Sequence, residues 1–215
     1  MSSTLELLHE HGSAVSGADG STYDSRIISI SRAEGEALSR WVARENATRT
    51  VEIGLAFGVS ALYICEALLQ SGRADVRHVA LDPFQAQSFA NRGLELLEEA
   101  GVAPLVEHHA KASQIALPAF LDAGRRFDFA FVDGNHRFDA VFLDLFYLGR
   151  LLPKGGAIFL DDYDLPGIRR AVSFYLKNLD WCVEEESPAG DAHRWVVLRT
   201  AATDDARDFR YFVDF

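Results

Sequence analysis

Asp133, His136, Asp161 and Asp162 are the residues whose types and spacing point most directly to chemistry. Each acid follows a short apolar run. Phe127-Asp-Phe-Ala-Phe-Val precedes Asp133-Gly-Asn-His136, and Ala157-Ile-Phe-Leu precedes Asp161-Asp162-Tyr-Asp164. Carboxylates brought to one point repel each other unless they are protonated or matched by a cation. A hard divalent ion such as Mg²⁺ prefers oxygen ligands of this kind, and Mn²⁺ or Ca²⁺ are alternatives. His136 lies three residues beyond Asp133. An imidazole titrating near neutrality can take a proton from a hydroxyl beside such a cation. The plainer alternative is that Asp133-Gly-Asn is a turn and that Asp161-Asp162 caps the following helix.

A second constellation lies upstream, in Thr50-Val-Glu-Ile-Gly-Leu-Ala-Phe-Gly-Val-Ser60. The apolar run ends in Glu52, Gly54 and Gly58 follow four residues apart, and a helix-like segment begins. This reads as a strand, a tight turn and a helix N-terminus, where a ligand can come close to the backbone. Asp82 ends the next apolar run and is placed to accept hydrogen bonds from ribose hydroxyls. The dinucleotide fingerprint is excluded, because it needs Gly where Ala56 stands. A glycine-marked turn with no ligand is the alternative.

The elements that must position these residues follow from pattern. Strand-like runs cover 49–53, 76–82, 104–109, 127–133, 156–161, 181–186 and 194–199. Helix-like runs cover 31–46, 59–71, 86–100, 112–123, 137–151 and 167–179. Ser31 is an expected N-cap, with Glu34 at the capping-box spacing. The central runs are apolar without strict alternation, as in parallel strands covered on both faces. Regular strand–helix alternation predicts a doubly wound, mostly parallel α/β sheet. The link between the last two strands is too short for a crossover helix, so those two pair antiparallel. Open sheets of this class bind ligands at the carboxyl ends of their strands, where Glu52, Asp82, Asp133, Asp161 and Asp162 all fall.

Bulk properties exclude several functions. Twenty-one basic against 32 acidic residues give a net charge of −11, which argues against a nucleic acid partner. No apolar run is long enough to span a bilayer. The N-terminal residues lack a signal-peptide pattern, so no membrane partner and a cytoplasmic location are expected. Cys65 and Cys182 lack metal or redox spacing. The domain expectation is an N-terminal helix and mobile loop over 1–30, acting as a candidate lid, then a main domain over 31–200. A tail over 201–215 reads as an extra packing segment or a contact between copies in a homo-oligomer.

The segment Glu52-Ile-Gly54-Leu-Ala56-Phe-Gly58 resembles the first motif of the class I S-adenosylmethionine-dependent methyltransferases, with Ala56 in place of the middle glycine. Residues 131–136, 152–156 and 159–163 are similar to those of the metal-dependent small-molecule O-methyltransferases. That group includes the macrocin-type sugar enzymes and, more distantly, catechol O-methyltransferase. The resemblance implies a seven-stranded sheet of order 3-2-1-4-5-7-6 with the last strand antiparallel. It implies S-adenosylmethionine bound by Glu52, Gly54, Ala56, Gly58, Ser60, Asp82, Ser113 and Asp133. It implies Mg²⁺ or Mn²⁺ held by Asp133, Asp161 and Asp162, with His136 and Asp133 as catalytic residues. Catechol enzymes carry a lysine where this chain has His136, so a catechol substrate is disfavoured. The expected acceptor is a hydroxyl of a sugar, phenol or polyketide-type molecule. The alternatives are a cation-independent methyltransferase and a non-catalytic nucleoside-binding protein.

Overall fold

The computed structural model describes residues 14–16, 22–24, 29–191 and 193–215. The chain divides into two compact units, Met1–Ser113 and Gln114–Phe215. In the first, a short ribbon pairs β1 (Ala14–Ser16) antiparallel with β2 (Thr22–Asp24). Helix α1 (Arg32–Arg44) follows, then β3 (Arg49–Ile53), α2 (Val59–Gln70), β4 (Arg77–Leu81), α3 (Arg92–Glu99) and β5 (Val106–His109). The second unit holds most of α4 (Ser113–Asp122), then β6 (Phe129–Val132), α5 (Phe138–Leu151), β7 (Ala157–Leu160), α6 (Pro166–Asn178), β8 (Cys182–Glu186) and β9 (Val196–Arg199).

The main sheet has seven strands in the order β5-β4-β3-β6-β7-β9-β8. Counted from β3, this is the expected 3-2-1-4-5-7-6. Strands β3, β4 and β5 pair in parallel, as do β6 and β7. Strand β9 runs antiparallel to both of its neighbours, β7 and β8. This is the fold of the class I methyltransferases.

Burial explains the elements. Every residue of β6 and β7 is buried, as strands covered on both faces must be. Edge strand β8 instead alternates exposed and half-buried residues, and its Glu184 and Glu186 pair with Arg199 and Arg194. In the first unit the core lies between β3, β4 and the almost wholly buried α2. Helix α1 crosses α2 at Gly35, where a Cβ would come within 2.2 Å of the Tyr63 ring. Ser31 caps α1 as expected, its hydroxyl accepting the Glu34 amide at 3.2 Å. In the second unit Phe131 and Phe159 meet at 5.7 Å, and Trp195 stacks on Phe159 at 4.7 Å.

Three expectations are corrected. The helix expected over 86–100 is confined to 92–99. Ala90 and Asn91 both take left-handed backbone angles, and the Asn91 amide donates to the Gln85 carbonyl at 2.7 Å. The strand expected from 104 begins at Val106, after a 3₁₀ turn over Ala103–Leu105 that contains Pro104. The mobile loop expected within 1–30 contains the β1–β2 ribbon; positions 1–13, 17–21 and 25–28, with the expected N-terminal helix, lie outside the described residues.

The tail packs on its own unit. The Asn178 side chain grips the Val213 backbone twice, donating to its carbonyl at 2.9 Å and accepting its amide at 2.8 Å. Phe215 lies against Phe174 at 5.0 Å, with the Arg170 guanidinium 4.7 Å over its ring.

Candidate functional site

In the first unit the chemistry centres on the loop from β3 to α2. Gly54 and Gly58 have φ of 95° and 79°, and Ala56 has φ of 43°. The left-handed angle at Ala56 shows why the related motif carries glycine there, since a Cβ is strained in that region. Gly54 and Ala56 are half-buried, whereas Phe57, Gly58 and Ser60 are buried. The accessible backbone of this loop is therefore at Gly54 and Ala56. Above Gly58, a Cβ would meet the Gly93 carbonyl at 2.9 Å, so this glycine serves a close approach of α3.

Asp82 clasps the loop from β4. Its Oδ2 accepts the Leu55 amide at 3.3 Å, the Ala56 amide at 2.9 Å and the Gln85 side-chain amide at 2.8 Å. Its Oδ1 accepts the Phe84 amide at 2.8 Å. A carboxylate offers about four acceptor positions, two on each oxygen. Oδ1 therefore keeps capacity for a further donor such as a ribose hydroxyl, while Oδ2 is saturated. Glu52 is enclosed beneath the loop and accepts the Ser60 hydroxyl at 2.9 Å. Ser113 is half-buried at the start of α4.

Sequence reasoning missed two residues here. Buried Gln85 donates from the same nitrogen to the Ala56 carbonyl at 2.7 Å and to Asp82. Gly93 brings α3 so close that a Cβ there would lie 2.5 Å from the Ala56 carbonyl oxygen. Its signal was available, because an isolated glycine in a helical pattern often marks close packing.

In the second unit Asp133, His136 and Asp162 converge, with one ligand atom from each lying within 4.8 Å of the others. His136 Nε2 lies 3.3 Å from Asp133 Oδ1 and 3.1 Å from Asp162 Oδ2. Side-chain exposure is 42% for His136, 29% for Asp133 and 32% for Asp162, so the group opens to solvent. The hydrogen bond to Asp133 raises the His136 pKa above its ordinary value. Burial opposes that, and the charges of Asp162, Asp133 and Asp161 reinforce it. Asp161 is placed differently: it is buried, and its Oδ1 accepts the Asp162 amide at 2.7 Å.

Local structure sets this geometry. Asp162 has φ of 53°, a left-handed angle uncommon for a residue with a side chain and typical of functional turns. The His136 turn is pressed by α6: a Cβ on Gly167 would meet the His136 carbonyl and the Phe138 amide at 3.2 Å each. Gly167, also missed in the sequence, is thus the contact that sets how near α6 comes to the histidine.

Residues 51–163, just over half of the 215-residue chain, match the methyltransferase domain family. The chain belongs to that family. The matched stretch runs from the glycine loop through Asp82 and Asp133 to the Asp161-Asp162 pair. No curated protein sequence matches this methyltransferase. Among solved structures it is similar to TomG, an O-methyltransferase of Streptomyces achromogenes involved in tomaymycin synthesis and solved with S-adenosylmethionine. The identity is 23% and the TM-score 0.71, over 94% of this chain and 91% of that one. An O-methyltransferase from Bacillus cereus, in complex with S-adenosylhomocysteine, is 18% identical with a TM-score of 0.73, again covering 94% and 91%. The S-adenosylhomocysteine-bound methyltransferase PaMTH1 of Podospora anserina is 18% identical at a TM-score of 0.69, over 93% of this chain and 88% of that one. Among the described residues no helix is long and apolar enough to cross a membrane.

Proposed function

We propose that this methyltransferase moves the methyl group of S-adenosylmethionine to a hydroxyl of a small molecule, assisted by a divalent cation. The observation that carries this reading is the convergence of Asp133, His136 and Asp162 within 4.8 Å. The two carboxylates offer the oxygen ligands that Mg²⁺ or Mn²⁺ prefers, with room for further oxygens, and the imidazole lies beside them. The His136 pKa is raised by the hydrogen bond to Asp133 and by the charges of Asp162, Asp133 and Asp161, which marks a point of negative potential that a cation would meet. The neighbours TomG and the Bacillus cereus enzyme, both O-methyltransferases, support the choice of oxygen as acceptor.

Asp133 and Asp162 would hold the cation. When bound it would supply the charge that lowers the pKa of an acceptor hydroxyl. His136 takes the hydroxyl proton at Nε2 as the oxygen attacks the methyl carbon and the sulfonium leaves as a thioether. With their charge matched by a cation, Asp133 and Asp162 would hold the imidazole proton less tightly, leaving His136 Nε2 free to act as the base. On the first unit, Gly54 and Ala56 offer the accessible backbone and Asp82 Oδ1 accepts a ribose hydroxyl. Glu52, Gly58 and Ser60 support that loop from below, and Ser113 stands at the adenine end. Asp161 orders the Asp162 turn. The acceptor is a sugar, phenol or polyketide-type hydroxyl, and the site of action is the cytoplasm.

A second reading makes His136 a third ligand, since its Nε2 belongs to the converging set. Methyl transfer to a panel of such hydroxylated acceptors, with and without a chelator, tests the proposal. Transfer is expected to stop with the chelator and to return with Mg²⁺ or Mn²⁺; full activity without metal would favour a cation-independent enzyme. His136→Ala is expected to lower kcat by about two to four orders of magnitude while cation affinity is kept. Loss of both would make His136 a ligand.

A further inference from the structure

Beneath the glycine loop lies a buried chain of four side chains, Thr50, His78, Glu52 and Ser60, of which Thr50 and His78 have no part in the proposed reaction. Glu52 and His78 are both 0% exposed. In the parallel register His78 stands opposite Thr50, and Glu52 is two residues further along β3 on the same face. Thr50 Oγ1 lies 2.8 Å from His78 Nδ1. His78 Nε2 lies 3.1 Å from Glu52 Oε1, a close contact that does not meet hydrogen-bond geometry. The Ser60 hydroxyl donates to Glu52 Oε2 at 2.9 Å.

A carboxylate removed from water is costly unless it is matched by donors or by charge. Among the described residues the partners of Glu52 are Ser60 and His78, and His78 is the one that can carry positive charge. Ser60 sits in the first turn of α2, so its bond to Glu52 fastens the far end of the loop to the strand where the loop begins. Asp82 and Gln85 hold the middle of the same loop. The two clasps reach the loop through different residues.

We propose that His78 is a positioning residue for the cofactor: it stabilises the Glu52 carboxylate, which anchors Ser60 and so fixes the loop that carries Gly54 and Ala56. Glu52, on this account, acts without touching the cofactor. The inference rests on the reading that this loop binds S-adenosylmethionine.

The test is calorimetric titration of S-adenosylhomocysteine, with amide hydrogen exchange of residues 54–58 measured on the same samples. Ser60→Ala and His78→Leu are each expected to weaken binding roughly 10-fold and to speed exchange in the loop. Thr50→Val, which removes only the hydroxyl on His78, is expected to have a smaller effect in the same direction. The Glu52→Gln/His78→Leu double variant is expected to regain most of both, because a neutral amide needs no counter-charge and its carbonyl still accepts from Ser60. Adding Ser60→Ala to His78→Leu is expected to cost little more, since both open one clasp. Unchanged affinity and exchange in the variants, with only a lowered melting temperature, would overturn the proposal, as would additive effects. If His78→Leu fails to fold, Ser60→Ala and Thr50→Val decide the matter. A wild type that does not bind S-adenosylhomocysteine would overturn the cofactor reading instead, and the exchange data would still report on the clasp.

Discussion

The acids of the two units share a position in the fold and differ in environment. Glu52 is the penultimate residue of β3 and Asp82 follows β4 in the first unit, while Asp133 follows β6 and the Asp161-Asp162 pair follows β7 in the second, so all lie at carboxyl ends of parallel strands. Glu52 and Asp82 are buried; Asp82 accepts four donors from within the fold, and Glu52 accepts the Ser60 hydroxyl and faces His78. Asp133 and Asp162 are partly exposed and face one imidazole. The same residue type therefore does two kinds of work. Where a carboxylate is enclosed by amides and hydroxyls it shapes the backbone, and its charge is consumed by the fold. Where carboxylates are open and converge, their charge remains available to a cation or proton.

Three measurements bear on this comparison. The largest expected effect comes from Asp82→Ala. It strips acceptors from the Leu55, Ala56, Phe84 and Gln85 donors, so roughly 2 kcal/mol or more of stability should be lost. Cofactor affinity should fall by about 10-fold or more with it, because a charge-assisted bond to the ribose goes too. Denaturant unfolding and calorimetric titration would read the two effects. A stable variant with unaltered affinity would mean that the clasp is idle.

An intermediate effect is expected in the second unit. In the metal-free protein, His136 should titrate above 6.5 by NMR, and Asp133→Asn should bring the midpoint down, since the Asp133 hydrogen bond is the leading cause of the shift. The sign for stability follows from a raised folded-state pKa. The contribution of the His136 cluster is fully present below the unfolded value and is lost as pH rises through the folded one. An unshifted midpoint, or one indifferent to Asp133→Asn, would remove the electrostatic contrast between the units.

The smallest effect is expected from Ala56→Gly. Relief of the left-handed strain at φ 43° should outweigh the added flexibility of glycine by a few tenths to about 1 kcal/mol. A thermal melt that falls instead would show that the Ala56 methyl packs usefully in the loop.

Much of the fold could be read from the sequence because apolar runs and their spacing report burial directly. The runs at 129–132 and 157–160 are unbroken because both faces of those strands are covered. Position at a strand end was readable too, which is why the acids could be named. Their burial was not. Nothing in the local sequence separates Glu52, sealed by His78 and Ser60, from Asp162, which a left-handed turn leaves partly exposed. The partner of Glu52 is 26 residues away and comes close only through strand register. Gln85, Gly93 and Gly167 escaped for the same reason: each matters through a contact with a distant backbone.

Mn²⁺ binding followed by electron paramagnetic resonance reads out whether the open acids hold a cation. Adding the metal-free protein to Mn²⁺ should quench the free-ion signal with a stoichiometry of about one per chain. Mg²⁺ should compete, and Asp133→Asn and Asp162→Asn should each weaken binding by about 10-fold or more. Glu52→Gln should leave binding unchanged, because that carboxylate is sealed inside the first unit. A free-ion signal undiminished by wild-type protein, or equal binding by the Asp133 and Asp162 variants, would contradict the account.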